Sequence, residues 1–232
     1  MSRLVIIGGG EHARVVAETA VEAGWELAGY TDRIAPAVAD EADVAAGASA
    51  DGTGRVALGL PYLGTDEDLL TRLAADEPDA RPLAVLGFGA PASGRRRTVE
   101  ALGSTVRWAT VVHPGAWVSP SAVLGAGTVV LARAVVNTGA RTGVHTIVNS
   151  GAIVEHDVRV GDFTHVAPGA VIGGGTTIGA DAFIGLGAAV RDHVTVGDGA
   201  LVAMGAVVTA DVGPGALARG VPARSTRGAD RG

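Results

Sequence analysis

The 232-residue chain predicts a small Rossmann-like α/β domain followed by a left-handed parallel β-helix. Three observations carry that reading: an N-terminal LVIIGGG run leading into a helical stretch, aliphatic residues recurring every six positions from Val118 to Val208, and 36 glycines beside only 3% aromatic residues. Glycine at this level would suggest a disordered or collagen-like chain, but the 47% hydrophobic content is far too high for either. A chain of this length can bury a real core, and without aromatic bulk that core has to be assembled from small aliphatic side chains.

Taken in order, LVIIGGG reads as a buried strand running into glycines. EHARVVAETAVEAG has helical periodicity closed by Gly24, and WELAGYTD is a second strand ending in Asp32. This is a βαβ unit. Ile34 to Leu60, rich in Ala, Asp and Gly, reads as a long surface loop. TDEDLLTRLAA is helical with Thr65 as its cap; after it come the strand PLAVLGFG, a helix around Gly94 to Leu102 and the strand VRWATVVHP. Residues 1–112 thus form the α/β domain. Its GGGEHA turn lacks the third glycine of the dinucleotide fingerprint, so the case for NAD is weak. Such a strand-to-helix turn still offers backbone N–H groups to a diphosphate, and a tight turn with no ligand fits the same residues.

The six-residue step then runs from Val118 through Leu124, Val130 and Val136 without interruption to Val208, and fifteen of its sixteen positions are aliphatic. Four residues after each stands only Ala, Thr or Val, and the next position is often Gly, as at Gly161, Gly173, Gly179 and Gly185. A helix turns through about 600° in six residues and cannot keep such a stripe on one face. Short strands separated by turns can, with three hexads closing one triangular coil. At ~4.8 Å per coil the sixteen hexads make about five coils, roughly 25 Å tall. The predicted division is 1–112, 113–214 for the β-helix, and a C-terminal tail at 215–232.

Composition also excludes several functions. A net charge of −6 argues against a nucleic-acid surface, and the lack of cysteine excludes disulfides and thiolate chemistry. MSRLVIIGGG lacks the layout of a signal peptide, and no apolar run reaches the ~18 residues of a membrane span, so the expected location is the cytoplasm.

Within the hexads, VEHDVRVGDFTHVAPGAV holds two histidines that need a reason. His156 falls where the chain turns a corner, and Glu155 and Asp157 flank it. A neighbouring carboxylate orients an imidazole and selects one tautomer, which is what a general base requires. His165 immediately precedes Val166 on a later side. Positions eighteen apart stack, so His156, Gly174 and Asp192 form one corner column, and Pro168, Leu186 and Met204 form another that His165 approaches. One prism does not bring these columns together; three prisms side by side do, each cleft taking His156 from one chain and His165 from the next. The turn histidines His145 and His193 are expected to be solvated. With His156 and His165 nine apart and no close third ligand, no metal is expected.

GGGEHARVV, HPGAWVSPSA, VNSGAIVEHDVRVGDFTHVAPGAVIGG and GVPAR together resemble the NeuD/PglD-type sugar acyltransferases over nearly the whole chain. The resemblance implies a homotrimer that uses acetyl-CoA, without a metal, to acetylate the amino group of a nucleotide-linked amino sugar. O-acetylation of a sugar hydroxyl and a non-catalytic trimeric sugar-nucleotide-binding module are the alternatives. By position it implies His156 as catalytic base, Asp157 as its orienting acid and Asn149 as a polar active-site residue. His165 would contact the cofactor, Gly174 would offer its N–H to the thioester carbonyl, and Leu186 and Met204 would line the pantetheine channel. In the first domain it implies that Gly8, Gly9, Gly10 and His12 form a phosphate-side loop and that Asp32 meets a ribose or base. Arg33 after Asp32, where relatives acting on UDP-sugars often pair two acids, leaves the nucleotide open.

Overall fold

The computed structural model describes residues 3–33, 59–75, 81–89 and 91–226, so all but the last two residues of the predicted 34–60 loop lie outside the described residues. Two compact units divide the chain at Val111/Val112.

The first unit is built on three parallel strands in the order β2-β1-β3: β1 (Arg3–Ile7), β2 (Glu26–Thr31) and β3 (Leu83–Leu86). β1 is central, and Leu4, Val5, Ile6 and Ile7 are all buried, which is why that strand reads as a continuous apolar run rather than an alternating one. Helix α1 (Glu11–Glu22) turns Ala13, Val16, Ala17 and Ala20 inward, the stripe that a period of 3.6 requires. Helix α2 (Asp66–Ala75) starts at a reciprocal cap: the Thr65 hydroxyl accepts the Asp68 N–H at 3.2 Å, and Asp68 Oδ2 accepts the Thr65 N–H at 2.8 Å. Helix α3 (Ala92–Leu102) follows β3 and buries Leu102 against Val5, Ile7, Leu69, Leu73 and Leu86.

The predicted strand VRWATVVHP is not one strand. Trp108 makes a single parallel bridge to Ala84, where Ala84 donates to Arg107 O and accepts from the Ala109 N–H, both at 2.9 Å. Among the described residues only this one of short β3 takes partners on that edge, and Val111–Val112 pairs instead within a sheet of the solenoid.

From there the chain winds as a parallel solenoid, the β-helix that the hexads predict. Two-residue strands stack into three sheets, and the rungs of the hexad run up to Val208 pair with residues eighteen away; Ile153 lies between Val135 and Val171. The hexad residues point inward, and Val130, Val136, Val148, Val154, Val166, Ile172 and Ile184 have no exposure. Each such side chain withdrawn from water is worth about 1.5–3 kcal/mol, so the stability is spread along the prism. The threonines at the small inner position spend their hydroxyls on turn carbonyls: Thr128 donates to Gly143 O (3.1 Å), Thr164 to Gly179 O (2.6 Å) and Thr176 to Arg191 O (2.9 Å). A buried hydroxyl is thereby satisfied at no loss of core volume.

The three faces differ outward. The first presents Trp117, Val135, Ile153, Val171, Ala189 and Val207, all apolar. The second presents Arg141, Arg159, Thr177 and Thr195. The third carries Ile147, His165, Phe183, Leu201 and Leu217. The coil also continues past residue 214. Leu217–Arg219 pairs parallel with Leu201–Val202, and Arg224–Thr226 folds back antiparallel on it, so residues 217–226 extend the third face. No described helix is long and apolar enough to cross a membrane.

Candidate active site

The turn between the first and second faces carries Glu155, His156 and Asp157. Asp157 adopts a left-handed φ of 59°, a conformation that Asp tolerates better than most residues, and this places its carboxylate back against the preceding ring. His156 Nδ1 lies 3.1 Å from Asp157 Oδ2. A carboxylate only accepts, so Nδ1 carries a hydrogen, and in the neutral ring the lone pair is on Nε2. The His156 backbone N–H and Asn137 Nδ2 both donate to Glu155 Oε2, each at 3.1 Å, which ties that side chain into the turn.

One coil on, Gly174 lies directly under the ring. A Cβ at this position would sit 2.5 Å from His156 Nε2 and 2.6 Å from Cε1, closer than any side chain is tolerated. Gly174 O accepts the His193 N–H at 3.0 Å and holds the turn in place. His156, Asp157 and Gly174 thus form one cluster on a corner, and the His156 side chain remains more than half exposed.

His165 lies on the third face, opposite that corner. It is 8% exposed; Asn149, 8% exposed on the neighbouring rung, places Nδ2 3.0 Å from His165 Nε2. The ring of Phe183 meets His165 edge-on, with centroids 5.2 Å apart. Leu186 and Met204 stack at the turn between the third and first faces, where the Gly205 N–H donates to Leu186 O at 2.8 Å; their exposures of 49% and 75% are high for such apolar side chains. Within one chain, then, the predicted residues fall into two groups, one around His156 and one along the third face.

In the first unit Gly8 takes a φ of 99° as the chain leaves β1. The Gly9 N–H donates to Asp32 Oδ2 at 2.9 Å, and a Cβ on Gly9 would collide with Tyr30 and with that same carboxylate. Asp32 therefore buttresses the glycine turn, a task that its reading as a ribose or base contact does not contain. Around Gly10 a Cβ would meet nothing within 4 Å, so the backbone stands open there. His12, in the first turn of α1, is held below the usual imidazole range, first by burial and then by the charge of Arg95.

A further expectation is overturned: His145 is not solvated. It is 4% exposed and stacks on Phe163, centroids 5.0 Å apart, because residues eighteen apart share a corner column and both adopt left-handed backbone. His193 is exposed.

Sequence reasoning also passed over three arginines. Arg95 is 1% exposed inside α3, although it opens a run of three arginines. Arg219 and Arg224 lie directly opposite each other on the last antiparallel pair, exposed and pointing to the same side. Like charges in that arrangement repel, and the signal available in the sequence was their place on either side of GVPA.

An α/β unit ahead of a hexapeptide-repeat β-helix, with a carboxylate-oriented histidine on one corner, defines a hexapeptide-repeat acyltransferase. Two family models match: the PglD N-terminal domain over residues 3–91 and the hexapeptide repeat of succinyl-transferase over residues 175–210. No curated protein matches the sequence. The acetyltransferase domain of PglB from Neisseria gonorrhoeae FA1090, in complex with acetyl coenzyme A, is 32% identical over 97% of this chain and 99% of that one, with a TM-score of 0.81. A mutant of perosamine N-acetyltransferase from Caulobacter crescentus, in complex with CoA and GDP-perosamine, is 32% identical over 97% of both chains, also at 0.81. WeeI from Acinetobacter baumannii AYE, 21% identical over 97% of this chain and 100% of that one at 0.65, shares the fold. The chain belongs to the NeuD/PglD-type sugar acetyltransferase family.

Proposed function

We propose that this protein is an acetyl-CoA-dependent N-acetyltransferase acting on the amino group of a nucleotide-linked amino sugar. The observation that carries the reading is His156: its Nδ1 is taken by Asp157 and its Nε2 lone pair faces out over Gly174. The acceptor amine attacks the thioester carbonyl while Nε2 takes its proton, a contribution of ~10²–10⁴-fold for general-base catalysis; the C–S bond then breaks, and coenzyme A leaves as the thiol with the proton that the imidazolium returns. The Gly174 N–H supports the developing oxyanion, and a donor of that kind is worth about 2.7–4 kcal/mol. Direct attack fits a chain that has no cysteine to carry an acyl group and whose nearest serine in sequence, Ser150, has no base at a suitable spacing.

Support for coenzyme A as acyl donor comes from the third face. Leu186 and Met204 supply an exposed apolar strip for the pantetheine arm. Arg219 and Arg224 stand three and four rungs beyond His165, roughly 14–19 Å at ~4.8 Å per rung, where phosphates would relieve their mutual repulsion. The Gly8–Gly10 turn, which leads into the N-terminus of α1, suits the acceptor's diphosphate through its backbone N–H groups, with His12 in the first turn of that helix. We read the assembly as a homotrimer in the cytoplasm, acting without a metal.

CoA release, read with a thiol reagent across UDP-, GDP- and TDP-linked amino sugars, tests the reading. One of these acceptors is expected to turn over, and His156→Ala is expected to lower kcat by ~10²-fold or more with little change in the KM for acetyl-CoA. No turnover with any amino sugar, or an unchanged kcat in the variant, rejects it.

A further inference from the structure

Two histidines on this β-helix hold hydrogen-bonding partners of opposite kind. Asp157 is an acceptor and engages Nδ1 of His156; Asn149 meets Nε2 of His165 at 3.0 Å. Which atom of the Asn149 amide faces the ring is settled by its other end. Asn149 Oδ1 accepts the Ser150 N–H at 2.8 Å, so the group directed at His165 is the NH₂. A donor aimed at Nε2 needs a lone pair there. The hydrogen of the neutral ring is therefore on Nδ1. Asn149 and His165 are both nine-tenths buried, and the edge of Phe183 against the imidazole restricts its rotation, so neither a ring flip nor a competing water readily exchanges the two nitrogens.

We infer that Asn149 is a positioning residue that acts through His165, holding the ring as its neutral Nδ1–H tautomer so that any bond it makes through the other nitrogen is a donated one. Both histidines are the same tautomer in the neutral ring: His156 has its lone pair at Nε2 and serves as a base, while His165 has its N–H at Nδ1 and bonds through that atom only as a donor. Whatever bonds that N–H must be an acceptor, a class that includes the carbonyl oxygen of a thioester or of an amide. This role in catalysis rests on the acetyltransferase reading; the tautomer does not. Asn149 accordingly orients the third-face histidine.

The test is ¹H–¹⁵N correlation spectroscopy of the imidazole nitrogens in the full-length protein labelled at histidine, with the His165 signals assigned by their loss in His165→Gln. Wild type is expected to show a pyridine-type Nε2 and a pyrrole-type Nδ1 at neutral pH. In Asn149→Asp one carboxylate oxygen can still accept from Ser150 while the other presents an acceptor to Nε2. The pattern should move to Nε2–H or to the imidazolium, and kcat/KM should fall at least tenfold while the circular dichroism stays unchanged. An Nε2–H signal in wild type overturns the inference, and that reading needs no variant to fold. An unchanged ring pattern in Asn149→Asp, or a changed pattern with unchanged kcat/KM, removes Asn149 as the positioning group. If the wild-type protein acetylates no amino sugar yet shows the Nδ1–H pattern, the functional reading falls and the tautomer assignment stands.

Discussion

The absence of a side chain at Gly174 matters as much to the corner as the imidazole above it. His156 has the room to lie over the turn only because no Cβ stands there; with one, the contact of 2.5 Å to Nε2 would force the ring aside. Gly174→Ala is expected to leave the fold intact, since the added methyl meets the end of a half-exposed side chain and not backbone. Pushing the ring some 30° off its rotamer costs about 0.5–1.5 kcal/mol and moves the base off line, so kcat should drop roughly tenfold, with the melting temperature nearly unchanged. Wild-type kcat in this variant would show that the ring does not work from where it now lies. A parallel case is Asp157: only its left-handed φ returns the carboxylate to Nδ1, and EHD in the sequence announced the pair of side chains but not the backbone conformation that joins them.

The elements differ in how far their sequences announced them. Hexads are legible because one inward aliphatic residue per side is a local rule repeated without interruption, β1 because its apolar run is continuous, and α1 because its apolar period is undisturbed. What escaped the reading depends on partners distant in the chain. His145 looked like a lone turn residue until the eighteen-residue register set it on Phe163, and VRWATVVHP looked like a strand although short β3 pairs on that edge at one residue. Arg95 shows the same limit, since a charge run says nothing about which member the helix turns inward. Its burial has a measurable effect through α1. His12 is held below its ordinary value of 6.5 by burial and then by Arg95, so the unfolded chain takes up a proton there more readily than the folded one. Stability from this group is fully present above pH 6.5 and is lost as pH falls through the interval below it. Urea midpoints measured from pH 7.5 to 5 should decline in wild type and decline less in His12→Asn, a neutral side chain at the same place. Parallel curves for the two proteins would mean that His12 is not a proton-linked site.

At the scale of the whole molecule, the two groups of predicted residues pose a geometrical problem that one chain does not solve. His156 stands on the corner between the first and second faces, and His165, with Leu186 and Met204 near it, belongs to the side across the prism. A stack of β-coils with a dry aliphatic core does not bend to bring them together. The first face meanwhile presents an apolar column from Trp117 to Val207, with Trp117 59% exposed, a surface suited to a second copy. A cyclic trimer sets a corner of each prism against a different corner of its neighbour, so each site would combine His156 of one chain with the third-face residues of the next. Light scattering at micromolar concentration should give three times the chain mass. The stronger test is complementation. His156→Ala removes the base, and Met204→Trp fills the cofactor strip without reaching His156; each homotrimer is expected to be inactive. Chains co-expressed with separate tags and purified through both form mixed trimers in which some clefts pair an unaltered corner with an unaltered strip. Those clefts should restore a measurable fraction of wild-type turnover, whereas a site made within one chain never recovers, because every chain carries one lesion. Mixed trimers that assemble and stay inactive would show that His156 and Met204 serve the same site from the same chain, and the path assigned to the cofactor along the third face would fall with the shared cleft.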